Sequence, residues 1–106
     1  MVVIVDFGMG NIHSVYTQCK KIHHKIIVAT NTKDIENANK LILPGVGHFY
    51  KAMEKLDKLK FIDILNEKVI YQKTPVLGIC LGMQLLGNKS EEGGVRGLGW
   101  IDAETI

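Results

Sequence analysis

The fold this sequence predicts is α/β: a doubly wound, mostly parallel sheet with helices on both faces. Three observations predict it. Short apolar runs, each the length of a buried strand, recur at Val2 to Val5, Lys25 to Ala29, Leu41 to Leu43 and Thr74 to Ile79. Stretches with helical spacing separate them, and such alternation implies parallel strands joined by right-handed crossovers. Glycine-bearing loops follow the first, third and fourth runs, at Gly8 to Asn11, Pro44 to His48 and around Cys80. In a doubly wound sheet these loops meet beyond the carboxyl ends of the strands, where ligands bind.

Each element has its own signal. Val2 to Val5 is wholly apolar and β-branched, and Asn11 is placed to cap the helix that follows. In that helix Ile12, Val15, Tyr16, Cys19 and Ile22 recur every three or four residues, which marks a buried face. The basic segment Lys20 to Lys25 falls where this helix ends, so it reads as a solvated terminus complementing the dipole rather than a nucleic-acid patch. Thr32 to Asn39 is a short polar helix that Asn31 or Thr32 caps, and Pro44 ends the third strand. From Phe49 to Tyr71 the spacing predicts two helices broken near Lys58 to Lys60. Phe49, Met53 and Leu56, then Ile62, Leu65 and Val69, form their apolar face.

Composition narrows the class. A chain of 106 residues, 46% hydrophobic and 23% charged, is one ordinary globular domain at most, and a net charge of +2 selects no partner. There is no apolar run long enough for a membrane span and no leader pattern, so a cytoplasmic protein without membrane or nucleic-acid partners is expected. The two cysteines sit in unlike settings and do not read as a disulfide framework. Neither a metal nor a cofactor is called for; Gly8-Met9-Gly10 has His13 where a dinucleotide loop has its third glycine, and it reads as a tight turn.

The stretch Gly78-Ile79-Cys80-Leu81-Gly82-Met83-Gln84 carries the chemistry. It sets one cysteine between two glycines where an apolar strand meets a helix, the arrangement of an exposed nucleophile on a strained elbow. The positive end of the helix dipole favours the thiolate there, and the Leu81 amide is a candidate donor to an oxyanion formed when Cys80 attacks a carbonyl. Cys19 has no such frame and reads as a small core residue. Pro44-Gly45-Val46-Gly47 is a candidate source of a second oxyanion donor, with an ordinary strand-ending turn as the alternative.

Four motifs in register resemble one family. Val5-Asp6-Phe7-Gly8-Met9-Gly10-Asn11, Pro44-Gly45-Val46-Gly47-His48-Phe49, Gly78-Ile79-Cys80-Leu81-Gly82-Met83-Gln84 and Ser90-Glu91-Glu92-Gly93 are similar to class I glutamine amidotransferases, whose domain is flavodoxin-like. Within that family they resemble the glutaminase subunits of imidazole glycerol phosphate synthase, and Gly97-Leu98-Gly99-Trp100-Ile101 resembles the continuation. The resemblance implies that glutamine is hydrolysed to glutamate and ammonia through a γ-glutamyl thioester on Cys80. It implies oxyanion amides from Leu81 and from Val46 or Gly47, and a glutamine seat formed by Gly47, Gln84 and Glu92. It further implies that ammonia passes to a barrel-shaped cyclase partner, in histidine biosynthesis or a related surface-polysaccharide pathway.

One part of the family pattern is missing. The family completes a Cys-His-Glu triad with a His and a Glu one residue apart, and none of the four histidines here, His13, His23, His24 and His48, has a glutamate two positions on. The chain is therefore expected to be the N-terminal portion, residues 1–106, of a single amidotransferase domain, with the C-terminal part missing. Such a portion is expected to be inactive alone, prone to self-association, and to end in an unpaired strand near Trp100 to Ile106. The residues leave two other readings open: a different cysteine hydrolase using His48 as a local base, and a non-catalytic flavodoxin-like binding module.

Overall fold

A computed structural model of the chain describes residues 1–22, 25–87, 89–90, 97–101 and 104–105, and it contains the parallel sheet. Strands β1 (Val2–Val5), β2 (Ile26–Ala29), β3 (Lys40–Leu43) and β4 (Val76–Gly78) lie in the order β2-β1-β3-β4, and every neighbouring pair is parallel. Val2 pairs with Ile26 on one side and Lys40 on the other, and Leu41 pairs with Val76. Central β1 is buried along its whole length, which is what an unbroken apolar run requires.

The strand order dictates the layers. Stepping from β1 to β2 and from β3 to β4 moves in opposite directions, so right-handed connections place their helices on opposite faces. Accordingly α1 (Ile12–Lys20) packs alone against Val2, Ile4, Ile26 and Ile42. Helices α2 (Thr32–Glu36), α3 (Phe49–Lys58), α4 (Phe61–Asn66) and α5 (Leu81–Leu85) share the other face with Val3, Val5, Leu41 and Leu43. The main core lies there, around the fully buried Phe7, Phe49, Phe61, Ile35, Leu56, Leu65 and Leu85. Phe49, Met53 and Leu56 are buried as their spacing predicts, and Ile62, Leu65 and Val69 pack in or against the same core.

Caps and breaks follow local chemistry. Asn11 Oδ1 accepts from the Ser14 amide at 3.3 Å and Asn31 Oδ1 from the Asp34 amide at 2.9 Å, so Asn31 rather than Thr32 is the second cap. The expected break after Lys58 occurs because Lys60 adopts the left-handed conformation, with φ 64°. Helix α4 then widens into a π turn over Glu67–Tyr71. Within that turn the buried Lys68 donates from Nζ to the Glu36 carbonyl at 2.8 Å and to Gln72 Oε1 at 3.1 Å, which satisfies the charged head and ties the turn to the end of α2.

Several expectations are corrected. Helix α2 stops at Glu36, not Asn39, and β4 spans only Val76–Gly78. It is an edge strand rather than a buried one, with Leu77 58% exposed. No residue of α1 is fully buried, and Ile22 lies beyond the helix at 77% exposure. The reason is geometric: strands sit about 4.8 Å apart and packed helices about 8–10 Å apart, so one helix cannot cover four strands, and this face carries one. Beside α1 runs an apolar groove of about 330 Å³ that includes Cys19, Ile22, Ile42, Pro75 and Leu77. The last segment is not an unpaired strand: Trp100 and Ile101 lie outside any strand, and β6 (Glu104–Thr105) pairs in parallel with β5 (Lys89–Ser90). His23 and His24 lie outside the described residues. Among the described residues no helix is long and apolar enough to cross a membrane.

Lys60 yields a prediction. A left-handed conformation costs an L-residue about 1–2 kcal/mol that glycine escapes, partly offset by glycine's greater unfolded-state entropy. Lys60→Gly is therefore expected to raise the unfolding free energy by about 0.5–1 kcal/mol, measured by urea titration.

Candidate active site

The elbow is built by backbone contact. Ile79 continues the β4 ladder by donating to the Leu43 carbonyl at 3.0 Å, and the next residue turns sharply, with Cys80 at φ 54° and ψ −119°. A non-glycine residue in that region stores about 1–3 kcal/mol and stays there only where its neighbours leave no alternative. Those neighbours are glycines for a measurable reason. A Cβ on Gly82 would lie 1.6 Å from the Leu43 carbonyl oxygen, and one on Gly78 would lie 2.7 Å from Met83 Cα. Helix α5 therefore rests backbone to backbone on the end of β3.

Cys80 is the N-cap of α5. Its carbonyl accepts from the Met83 amide at 3.0 Å and the Gln84 amide at 3.3 Å, whereas its side chain makes no capping bond and is exposed. Cys19, half-buried on α1, packs against the smaller core as expected.

The other glycine loops converge on this elbow. A Cβ on Gly10 would stand 3.2 Å from Gly45 Cα, and one on Gly45 would stand 3.3 Å from Leu81 Cβ and from Phe7 Cζ. One on Gly47, at φ 117°, would stand 2.9 Å from Met9 Cε. The first loop is the expected tight turn, an Asx turn in which the Gly8 amide donates to Asp6 Oδ1 at 3.0 Å. Val46 is 57% exposed on the active edge and Gly47 is exposed beside it. Gln84 is half-buried on α5, and Glu92 lies outside the described residues.

Two features were not legible from the motif. The Leu81 amide donates to the Gly45 carbonyl at 2.9 Å and the Gly82 amide to the Ile79 carbonyl at 2.9 Å. The elbow's first amides thus have backbone acceptors, and Leu81 must lose Gly45 before it can serve an oxyanion. His48, second, caps α3: its Nδ1 accepts from the Tyr50 amide at 3.1 Å, and its carbonyl accepts from the Ala52 amide at 3.0 Å. That ring nitrogen is committed to the helix rather than free to take a thiol proton. The general N-cap preference for Ser, Thr, Asp and Asn hides a histidine cap from sequence reading. Among the described residues no three His, Cys, Asp or Glu side chains are grouped to hold a metal.

The arrangement sets an exposed thiol beside a loop rich in backbone amides. In comparison with known proteins, the model of the class I glutamine amidotransferase family matches residues 3–98. The chain belongs to that family. It is 52% identical over its whole length to imidazole glycerol phosphate synthase subunit HisH 2 of Methanococcus maripaludis, covering 52% of that protein. It is 47% identical to the subunit HisH 2 of Pseudomonas aeruginosa, again over its whole length and 52% of the relative. A crystal structure of a glutamine amidotransferase superposes with a TM-score of 0.81 over 98% of this chain and 55% of that one; at 18% identity this likeness speaks for the fold. The chain spans about half the length of the curated relatives it matches.

The two cysteines can be compared directly. Because Cys80 is exposed on a strained elbow and Cys19 is half-buried, iodoacetamide is expected to modify Cys80 at least about tenfold faster than Cys19 in folded protein, read by peptide mass spectrometry. Equal rates, or Cys19 first, would remove Cys80 from the nucleophile's role.

Proposed function

We propose that this chain is the nucleophile-bearing portion of a glutaminase of the imidazole glycerol phosphate synthase type. The observation that carries this is Cys80, exposed and held at positive φ between Gly78 and Gly82 at a strand-to-helix elbow. The Cys80 sulfur adds to the glutamine γ-carboxamide carbon. The carbon–nitrogen bond then breaks, the nitrogen leaves with a proton as ammonia, and water cleaves the γ-glutamyl thioester to glutamate and free thiol. The amide of Leu81, once released from Gly45, and an amide of Val46 or Gly47 take the developing oxyanion charge. Gly47, Gln84 and Glu92 seat the glutamine. The ammonia goes to a cyclase partner; in support, the relatives are named as subunits of imidazole glycerol phosphate synthase.

A base is also needed. No His-x-Glu pair occurs in these 106 residues, and His48 Nδ1 is engaged in capping, so turnover depends on a His and a Glu from outside the 106 residues. The 106-residue chain is therefore expected to release no glutamate above background while a chloroketone analogue of glutamine still alkylates Cys80. With the groove beside α1 uncovered, it is also expected to run above its monomer mass in light scattering. Glutamate release that disappears in His48→Ala would instead establish a local base.

The oxyanion loop generates the second expectation. Turning the peptides of Gly45 to Gly47 exchanges a carbonyl for an amide at the elbow, and the flanking glycines keep that rotation inexpensive. Glutaminase turnover by a chain carrying the whole triad is thus expected to rise about a hundredfold or more when a cyclase binds with its own ligand. Equal turnover with and without the partner would contradict a loop that waits for contact.

A further inference from the structure

Helix α5 has five residues, too short to persist without support at both ends. Its N-terminal end rests on Leu43; at its C-terminal end Leu85 is buried in the main core, and one further segment, residues 97–101, takes up the backbone carbonyls. The carbonyls of Leu85, Leu86 and Gly87, which a helix terminus leaves without partners, accept from the amides of Leu98 at 2.8 Å, Ile101 at 3.0 Å and Gly99 at 2.9 Å. Gly97 lies so close that a Cβ there would stand 2.4 Å from the Gly87 carbonyl oxygen. Leu98 and Trp100 of this capping segment pack against the main core, and among the described residues its side-chain hydrogen bond is that of the Trp100 indole, which donates from Nε1 to Asn66 Oδ1 at 2.7 Å, across 34 positions of sequence. Asn66 is a firm anchor, because it ends α4, whose Phe61 and Leu65 are each 1% exposed, and stands where the backbone widens into the π turn.

We infer that Trp100 and Asn66 are positioning residues for Cys80: their hydrogen bond clamps residues 97–101 onto the end of α5, and α5 in turn holds Cys80 in its strained conformation. This rests on the reading of Cys80 as the nucleophile. The argument is mechanical. A strained residue relaxes when the elements around it gain freedom, and the C-terminal end of α5 is fastened through a segment whose side-chain anchor is Trp100. Both residues lie outside the elbow motif and neither touches the reacting atoms.

The test compares wild type with Trp100→Phe and Asn66→Leu, which remove the donor or the acceptor, and with Asn66→Asp, which keeps an acceptor. Alkylation of Cys80 by the glutamine chloroketone is expected to slow about tenfold or more in the first two variants and to stay within about twofold of wild type in Asn66→Asp. Iodoacetamide, which needs no oriented elbow, should slow far less, a split that general loss of stability does not produce. Amide exchange at Met83 and Gln84 is expected to rise about tenfold in Asn66→Leu. If Trp100→Phe fails to fold, the two Asn66 variants decide. Unchanged chloroketone rates and unchanged exchange in Asn66→Leu overturn the inference. A wild-type Cys80 no faster than Cys19 instead removes the nucleophile reading, and the exchange measurement then still decides whether the clamp holds α5.

Discussion

The contact on which the rest of the structure depends is the one between Gly82 and the Leu43 carbonyl, where no side-chain atom fits. Because α5 presses its backbone on the end of β3, the chain between β4 and α5 has no room for a relaxed turn, and Cys80 takes up the difference. The same approach brings Leu81 against Gly45, so the loop after β3 and the helix that follows Cys80 share one hydrogen bond. A close approach of two backbones is rigid in a way that side-chain packing is not. It explains why the cysteine stays exposed yet held, the combination that the proposed function asks of it.

The two faces of the sheet are unequal, and the inequality is read in exposure. Four helices cover one face and bury a continuous aromatic and aliphatic core. The other face has α1, a smaller cluster and an apolar groove bordered by Leu77 on edge strand β4. The curated relatives are roughly twice as long and match this chain at about half identity. The elbow belongs to the well-covered face. Its backbone contacts, from Leu43 and Gly45 to Gly82 and Leu81, all lie among the described residues.

An elbow set by sterics and a hydrogen bond set by partner choice behave differently. Gly78 and Gly82 stand where no Cβ fits, whereas the Leu81 amide is held by a single acceptor, the Gly45 carbonyl, that it loses if that peptide turns. In the proposed function, a fixed Cys80 thus stands beside an adjustable Leu81 amide. Trp100 and Asn66 reinforce the fixed half, from the far end of the same helix.

Local spacing alone determined the parallel strands, the break at Lys58 to Lys60, the buried stripe of Phe49, Met53 and Leu56, and the exposed cysteine between two glycines. These follow from periodicity, from caps such as Asn11 and Asn31, and from the residue types that tolerate a sharp turn. Only the tertiary structure decided that Ile22 lies in the open, that β4 is an edge, that His48 caps a helix, and that Leu81 donates to Gly45. The indole of Trp100 reaching Asn66 belongs with these. The physical reason is shared: a pattern along the chain records which face of an element is apolar, but the partner of a single amide or indole depends on which distant backbone the fold brings within 3 Å.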